Sequence, residues 1–354
     1  MKKYYPSIQI LRGILFLLIL AFHCGAPFAS FGWGGVEAFF VISAFFLVKK
    51  HWGTDTLHVK DQFVHRIKRL YPPYVAVLLV AALFALLKKT IPVDLITHLL
   101  SGQNFQWMMT GYSSPMQPMT AHTWTLSIEV WTGLVWLLLL RYLTKKQFNY
   151  AMYGMLLLGI LYRTVTIILG CNVYVVSLCP IAHFDAFAAG SLLAIGCRNE
   201  KLNIRIGALC VPGCVGIVAC IYSISINKGI SFWKGYQSLS ASSNYLNNWF
   251  TGNIYLYITL LIAGIVGLLY LWDSLKDDEP TKITRLFVAL GDRSYMLYLF
   301  HWPILMVVKR WIKPWYYSFP STLIMAIVAT VIFNWVYNTI QKEGNGGMKR
   351  DPVV

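Results

Sequence analysis

The stretch LRGILFLLILAFHC, residues 11–24, carries a guanidinium at Arg12 and an imidazole at His23, with ten uncharged residues between them. Eleven helical steps make about three turns, so both side chains share one helix face, roughly 16 Å apart. The guanidinium can hold a phosphate and the imidazole can take a proton. With Arg12 at a membrane surface, His23 is expected near mid-depth of a ~30 Å hydrocarbon core. Other apolar stretches also carry ionisable groups, which in lipid are costly and face protein or water. GWGGVEAFFVIS holds Trp33 and then Glu37. In a hairpin of the first two runs Glu37 could approach His23, fixing its tautomer and raising its basicity. The alternative for Glu37 is a carboxylate favoured by a helix N-terminus. AHTWTLSIEVW holds His122, Trp124, Ser127 and Glu129. His122 and Glu129 are seven residues apart, two turns, and so share a face; the alternative is an interhelical hydrogen-bonding patch. HFDAFAAGSLLA holds Asp185, and YLFHWPIL holds His301 beside Pro303. VHRIKRLYPPY places Arg66 and Arg69 three apart, two planar forks suited to phosphate or a basic cluster attracted to anionic lipid.

The elements that must position these groups are membrane helices. The chain has 354 residues, 57% hydrophobic and only 12% charged, where a soluble domain is about a quarter charged. Its net charge of +16 comes in short clusters between apolar runs, a mark of topology rather than of nucleic-acid binding. The start has the look of a signal peptide, with Lys2, Lys3 and the small-residue stretch APFAS. Arg12 directly before the run, His23 after it and many later runs favour a retained span instead. Apolar runs at about 12–30, 35–50, 72–88, 122–142, 149–170, 182–198, 205–226, 252–272, 292–312 and 319–340 are each read as a span. Ten spans put both termini on one side. Of the 30 Lys and Arg residues, only Lys88, Lys89, Arg163, Lys228, Lys234, Lys309, Arg310 and Lys313 then fall on the other. That asymmetry makes the termini cytoplasmic. The expected fold is all-α and polytopic, one transmembrane domain over 1–342 and a short cytoplasmic tail over 343–354.

Two outer connections, around 89–121 and 227–251, mix aromatic residues with amides and hydroxyls, a surface that suits sugars or an interfacial aromatic belt. Of the seven cysteines, Cys171 and Cys179 could pair outside the cytosol. No HExxH and no paired Cys/His spacing occurs, so no metal is expected; nor is there a P-loop, a dinucleotide fingerprint or a G-x-S-x-G elbow.

Taken together, IQILRGILFLLILAFH, GGVEAFFVISAFFL, RIKRLYPPY, HTWTLSIEVW, HFDAFAAGSLLA and LGDRSYMLYLFHWPIL stand in an order that resembles the acyltransferase 3 family from about residue 4 to 340. The resemblance implies a bacterial cytoplasmic-membrane enzyme of about ten spans that acylates cell-surface glycans. The IQ before LRG is most similar to the exopolysaccharide O-acetyltransferases. By that likeness His23 is the catalytic base, assisted by Glu37 and Glu129. Arg12, Arg66 and Arg69 would hold the phosphates of acetyl-CoA, the acyl donor. Trp33, His122, Trp124, Ser127, Asp185 and His301 would line the side of the acceptor, a glycan or lipid-linked saccharide. Membrane lipids and a second copy of the chain are the other expected partners, and nucleic acid is not. This chain departs from the family at Glu37, usually Asp; at Ala44, usually Gly; and at Gln9, Asp in many members. A hydrolase-like domain fused in longer members is not expected within this length, so transfer would proceed alone or with a partner. A transporter of an anionic lipid-linked glycan is the competing reading, since basic mouths and buried ionisable groups suit it too. A scaffold would leave the Arg12–His23 phase unexplained.

Overall fold

Residues 4–54, 56–199, 202–275 and 281–344 are described by the structure, a computed structural model. Lys2, Lys3, Lys201, Lys276, Lys349, Arg350 and the tail beyond residue 344 lie outside them. Among the described residues every regular element is helical. The long helices are α1 (Pro6–Cys24), α2 (Gly35–His51), α3 (Val59–Leu87), α4 (Trp124–Tyr142) and α5 (Lys145–Ile168). They continue as α6 (Phe184–Arg198), α7 (Cys210–Lys228), α8 (Ile254–Leu275), α9 (Lys282–Asp292), α10 (Ser294–Val308) and α11 (Trp315–Gly344). Among the described residues nine helical stretches are long and apolar enough to cross a membrane, and α10 is a shorter apolar helix. The protein is an all-α, multi-pass membrane protein. Its lipid-facing stripes are legible as exposed leucine, valine and isoleucine on α3, α7 and α11, among them Leu83, Leu87, Val211, Val215, Val328 and Ile332.

Three boundaries differ from the sequence expectation, each for a local reason. Pro6 at the first position starts α1 two turns before Arg12, and Gly25, with φ of 89°, ends it directly after Cys24. His23 therefore sits in the last turn of α1 rather than at the middle of a longer span. The basic stretch before Tyr71 is continuous with the third span, because Pro72 and Pro73 are accommodated within α3. Residues 282–292, read as part of a loop, form α9, which packs along the N-terminal half of α1. All seven cysteines are free thiols, so Cys171 and Cys179 do not pair.

The core has two parts. The larger cluster joins α1, α2, α6 and α8; a smaller one joins α3, α4, α10 and α11. α4 serves both, turning Ile128 and Trp136 to the first and Leu126 and Val130 to the second. α10 does the same with Leu297 and Leu305 against Leu299 and Phe300. Polar residues of α1, α2, α3, α4 and α10 consequently meet along the seam.

Small residues set how closely these helices approach. A Cβ on Gly190 of α6 would stand 2.1 Å from the Val41 carbonyl oxygen of α2, while one on Gly154 of α5 would meet nothing within 4 Å. Gly190→Ala should therefore force α2 and α6 apart and cost about 1–3 kcal/mol. Gly154→Ala should be neutral or stabilising by up to about 1 kcal/mol. Thermal midpoints of the two purified variants in detergent check this pair; equal midpoints would contradict the packing.

Candidate functional site

Two polar clusters occupy the seam, one reached from each end of α1. The first begins at Arg12, whose guanidinium bonds Gln9 Oε1 at 3.0 Å and lies within electrostatic reach of Arg69, Glu129 and Asp292. Asp292, ending α9, accepts from the Tyr4 hydroxyl at 3.1 and 3.0 Å. Partial burial and that carboxylate push the Tyr4 phenol up to about 12, so it remains the donor. Arg69 is exposed and within electrostatic reach of Arg12, Arg66 and Glu129. Arg66, one turn away on α3, is buried and bonds Glu129 Oε1 at 2.5 Å. The same carboxylate oxygen accepts from Ser43 of α2 at 2.5 Å. Gly133 of α4 makes room for this pair: a Cβ there would stand 2.9 Å from Arg66 Nε. Three cations thus meet two carboxylates, Glu129 bonded to Arg66 and Asp292 near Arg12, and Arg12 and Arg69 keep donors for a ligand.

The second cluster gathers three histidines. The His23 ring stacks on His301 of α10 at 5.3 Å between centroids and meets Trp302 edge-on at 4.8 Å. His122 lies 5.3 Å from His301. His122 Nε2 bonds the Leu299 carbonyl at 3.0 Å and His301 Nδ1 bonds the Tyr298 carbonyl at 2.5 Å. A carbonyl only accepts, so those nitrogens carry the protons and the others, His122 Nδ1 and His301 Nε2, are lone pairs. Both lone pairs are buried without a partner. The His23 ring is half-buried, and its nitrogens have no hydrogen bond among the described residues. Lys309 Nζ holds the His23 carbonyl at 2.7 Å, neutralising the C-terminal end of α1.

The remaining predicted residues go elsewhere. Glu37 does not reach His23: it bonds His183 Nδ1, whose Nε2 bonds the Ser177 carbonyl at 2.8 Å. The turn of residues 25–34 carries the start of α2 toward α6 instead. His122 and Glu129 fall in different clusters: His122, in a 3-10 turn ahead of α4, bonds the Leu299 carbonyl of α10, while Glu129 bonds Arg66 of α3. Ser127 is fully buried and donates to the Ser101 carbonyl at 2.6 Å. Trp33 donates to the Leu239 carbonyl at 2.8 Å and stacks on Tyr245 at 4.9 Å. Trp124 packs against His183 at 5.6 Å. Asp185 forms a fully buried two-point pair with Arg163 of α5, at 3.0 and 2.7 Å. In the outer connection the amides of Gln103 and Asn104 brace the carbonyls of Thr123 and Trp124, and Trp107 is fully buried. These polar groups position α4 rather than face outward.

Ser43, Arg163 and His183 were not singled out in the sequence. A lone arginine within an apolar run signals a buried acid somewhere, and Asp185 is that acid. Among the described residues no group of three or more His, Cys, Asp or Glu could hold a metal ion.

An all-α membrane bundle with a cationic cluster and a histidine cluster on one seam is the class that fold and site define. The chain belongs to the acyltransferase 3 family: the family model described as an acyltransferase domain matches residues 5–339. Two proteins of Staphylococcus aureus (strain COL) are similar to it. One, named "Putative O-acetyltransferase SACOL0978", is 24% identical over 376 residues, and the other, O-acetyltransferase OatA, is 24% identical over 381. Each match covers 97% of this chain and 58% of the relative, so the chain spans little more than half the length of those proteins. No solved structure matches the chain.

The Arg163–Asp185 pair is a structural element by its burial. Asp185→Asn leaves a buried guanidinium uncompensated and should destabilise by about 3–5 kcal/mol. Adding Arg163→Met should recover most of that loss, read as the thermal midpoint in detergent. An Asp185→Asn protein with the parent's midpoint would return Asp185 to the list of ligand-binding residues.

Proposed function

We propose that this protein is a membrane O-acetyltransferase of the bacterial cytoplasmic membrane. It moves the acetyl group of cytosolic acetyl-CoA to a hydroxyl of a cell-surface or lipid-linked polysaccharide, an exopolysaccharide by its sequence branch. The observation that carries this is α1 itself, with Arg12 in one polar cluster and His23 in the other, on one face and roughly 16 Å apart. A pantetheine arm is flexible and of that order of length. The CoA phosphates lie against Arg12 and Arg69, with Arg66 held in register by Glu129 and Ser43. Glu129 is then a positioning residue for Arg66, and the thioester reaches the histidines.

His23 acts as general base. As the acceptor oxygen attacks the thioester carbonyl, its proton passes to His23 and the new C–O bond forms. The tetrahedral intermediate collapses with loss of the C–S bond, and the departing thiolate takes the proton from the imidazolium. General-base assistance of this kind is worth about 10²–10⁴-fold. Enclosure between the two core clusters keeps water from the thioester. The O-acetyltransferase names of the relatives support the acetyl donor and the hydroxyl acceptor.

The donor site is tested by acetyl-CoA binding to purified protein in nanodiscs. Arg66→Ala combined with Arg69→Ala should weaken binding by at least about tenfold, the loss of the charge-assisted Arg69 contact and of the Arg66 charge beside it; unchanged affinity would count decisively against it. His23→Ala should bind acetyl-CoA as the parent does while acetyl transfer in cells falls about 10²–10⁴-fold. Transfer that survives this substitution would move the base elsewhere.

A further inference from the structure

The outer end of α1 borders a cavity that neither polar cluster uses. It measures ≈ 250 Å³ and is walled by Phe22, Gly25, Pro27 and Ser30 on one side and by Gln237 and Ser240 on the other. Phe22, which lines this cavity, precedes the candidate base in α1, and the two rings lie 4.9 Å apart. Its walls are braced against each other. The Tyr236 hydroxyl donates to the Phe28 carbonyl, and Trp33 Nε1 donates to the Leu239 carbonyl at 2.8 Å. These bonds tie the turn after α1 to the short helix Phe232–Ser238, which lies in the outer connection before α8. Ser30 Oγ closes the turn on itself through the Pro27 carbonyl at 3.1 Å.

The chemistry of the walls is specific. No lining residue is charged. The Gln237 amide and the Ser240 hydroxyl have no side-chain hydrogen bond among the described residues and offer both donors and acceptors. Beyond Phe22 and His23, the unpaired lone pairs of His122 Nδ1 and His301 Nε2 can be met only by a hydrogen-bond donor, which a carboxylate or phosphate lacks. Its volume is that of about eight waters at about 30 Å³ each, room for one saccharide ring. We infer that this cavity is the acceptor subsite and that it admits an uncharged, hydroxyl-rich ring, one unit at a time, with the reacting hydroxyl passing Phe22 to reach His23. The inference rests on the acyltransferase reading and adds Gln237 and Ser240 as acceptor-binding residues. It also replaces Trp33, Ser127 and Asp185, expected on the acceptor side, since each of them is engaged by another partner.

The test uses the full chain in its host, with the native gene deleted and variants supplied in its place. Ser240→Trp fills the cavity from an exposed position, and Gln237→Ala removes the amide. The readouts are the O-acetyl content of surface glycans by mass spectrometry and acetyl-CoA binding to the purified proteins. Ser240→Trp should lower glycan acetylation by at least about tenfold and Gln237→Ala severalfold, the loss of contacts that orient an acceptor, with acetyl-CoA affinity unchanged in both. Wild-type acetylation by Ser240→Trp overturns the assignment. So does a joint loss of acetylation and donor binding, which would give the cavity to the donor or to the fold. If the parent itself adds no acetyl mass to any glycan, the acyltransferase reading fails, and the acceptor subsite with it.

Discussion

A bilayer supplies no water to satisfy a polar group, so each charge within this bundle must find its partner on another helix. That requirement decides the arrangement more than any apolar contact does. Leucine and valine can slide past one another at little cost, whereas a guanidinium in the interior has few places to go. Arg163 meets Asp185, His183 meets Glu37 and Arg66 meets Glu129. Each pair joins two different helices: α5 with α6, the turn before α6 with α2, and α3 with α4. The pairs therefore act as registers, fixing both the depth and the rotation of helices whose apolar faces alone would leave them undetermined.

The three pairs differ in what they leave over. Arg163 and Asp185 meet at two points and neither is exposed, so they have no capacity for a ligand. Glu37 keeps one buried oxygen without a hydrogen-bond partner among the described residues, but its other oxygen is held by His183. Arg66 and Glu129 form the one pair bordered by further cations, Arg12 and Arg69. Two carboxylates, Glu129 and Asp292, among three guanidiniums leave a net positive field, and a polyanion is what that field selects. The local excess, rather than the number of buried charges, distinguishes a ligand site from a structural one here.

Most of the fold was legible in the sequence, because span length is a direct consequence of bilayer thickness. All ten expected spans have a helix. The errors came from local chemistry that hydropathy does not weigh: Pro6 starting α1 early, Gly25 stopping it, and Pro72 and Pro73 remaining inside α3. For the site, spacing within one helix was informative and spacing between helices was not. Arg12 with His23 and Arg66 with Arg69 are intrahelical pairs, and the helical period relates them directly. Glu37 with His23 needed the geometry of a turn, and His122 with Glu129 needed the partners each finds on another helix, the Leu299 carbonyl of α10 and Arg66 of α3. Both expectations failed at that step.

The failed pairing of Glu37 bears on how His23 is held. A histidine base is ordinarily oriented by an acceptor for its second nitrogen, most often a carboxylate. Here no carboxylate lies beside His23; its neighbours are Phe22, His301 and Trp302. The orientation comes from packing instead, with the ring stacked on His301, which is itself locked by the Tyr298 carbonyl.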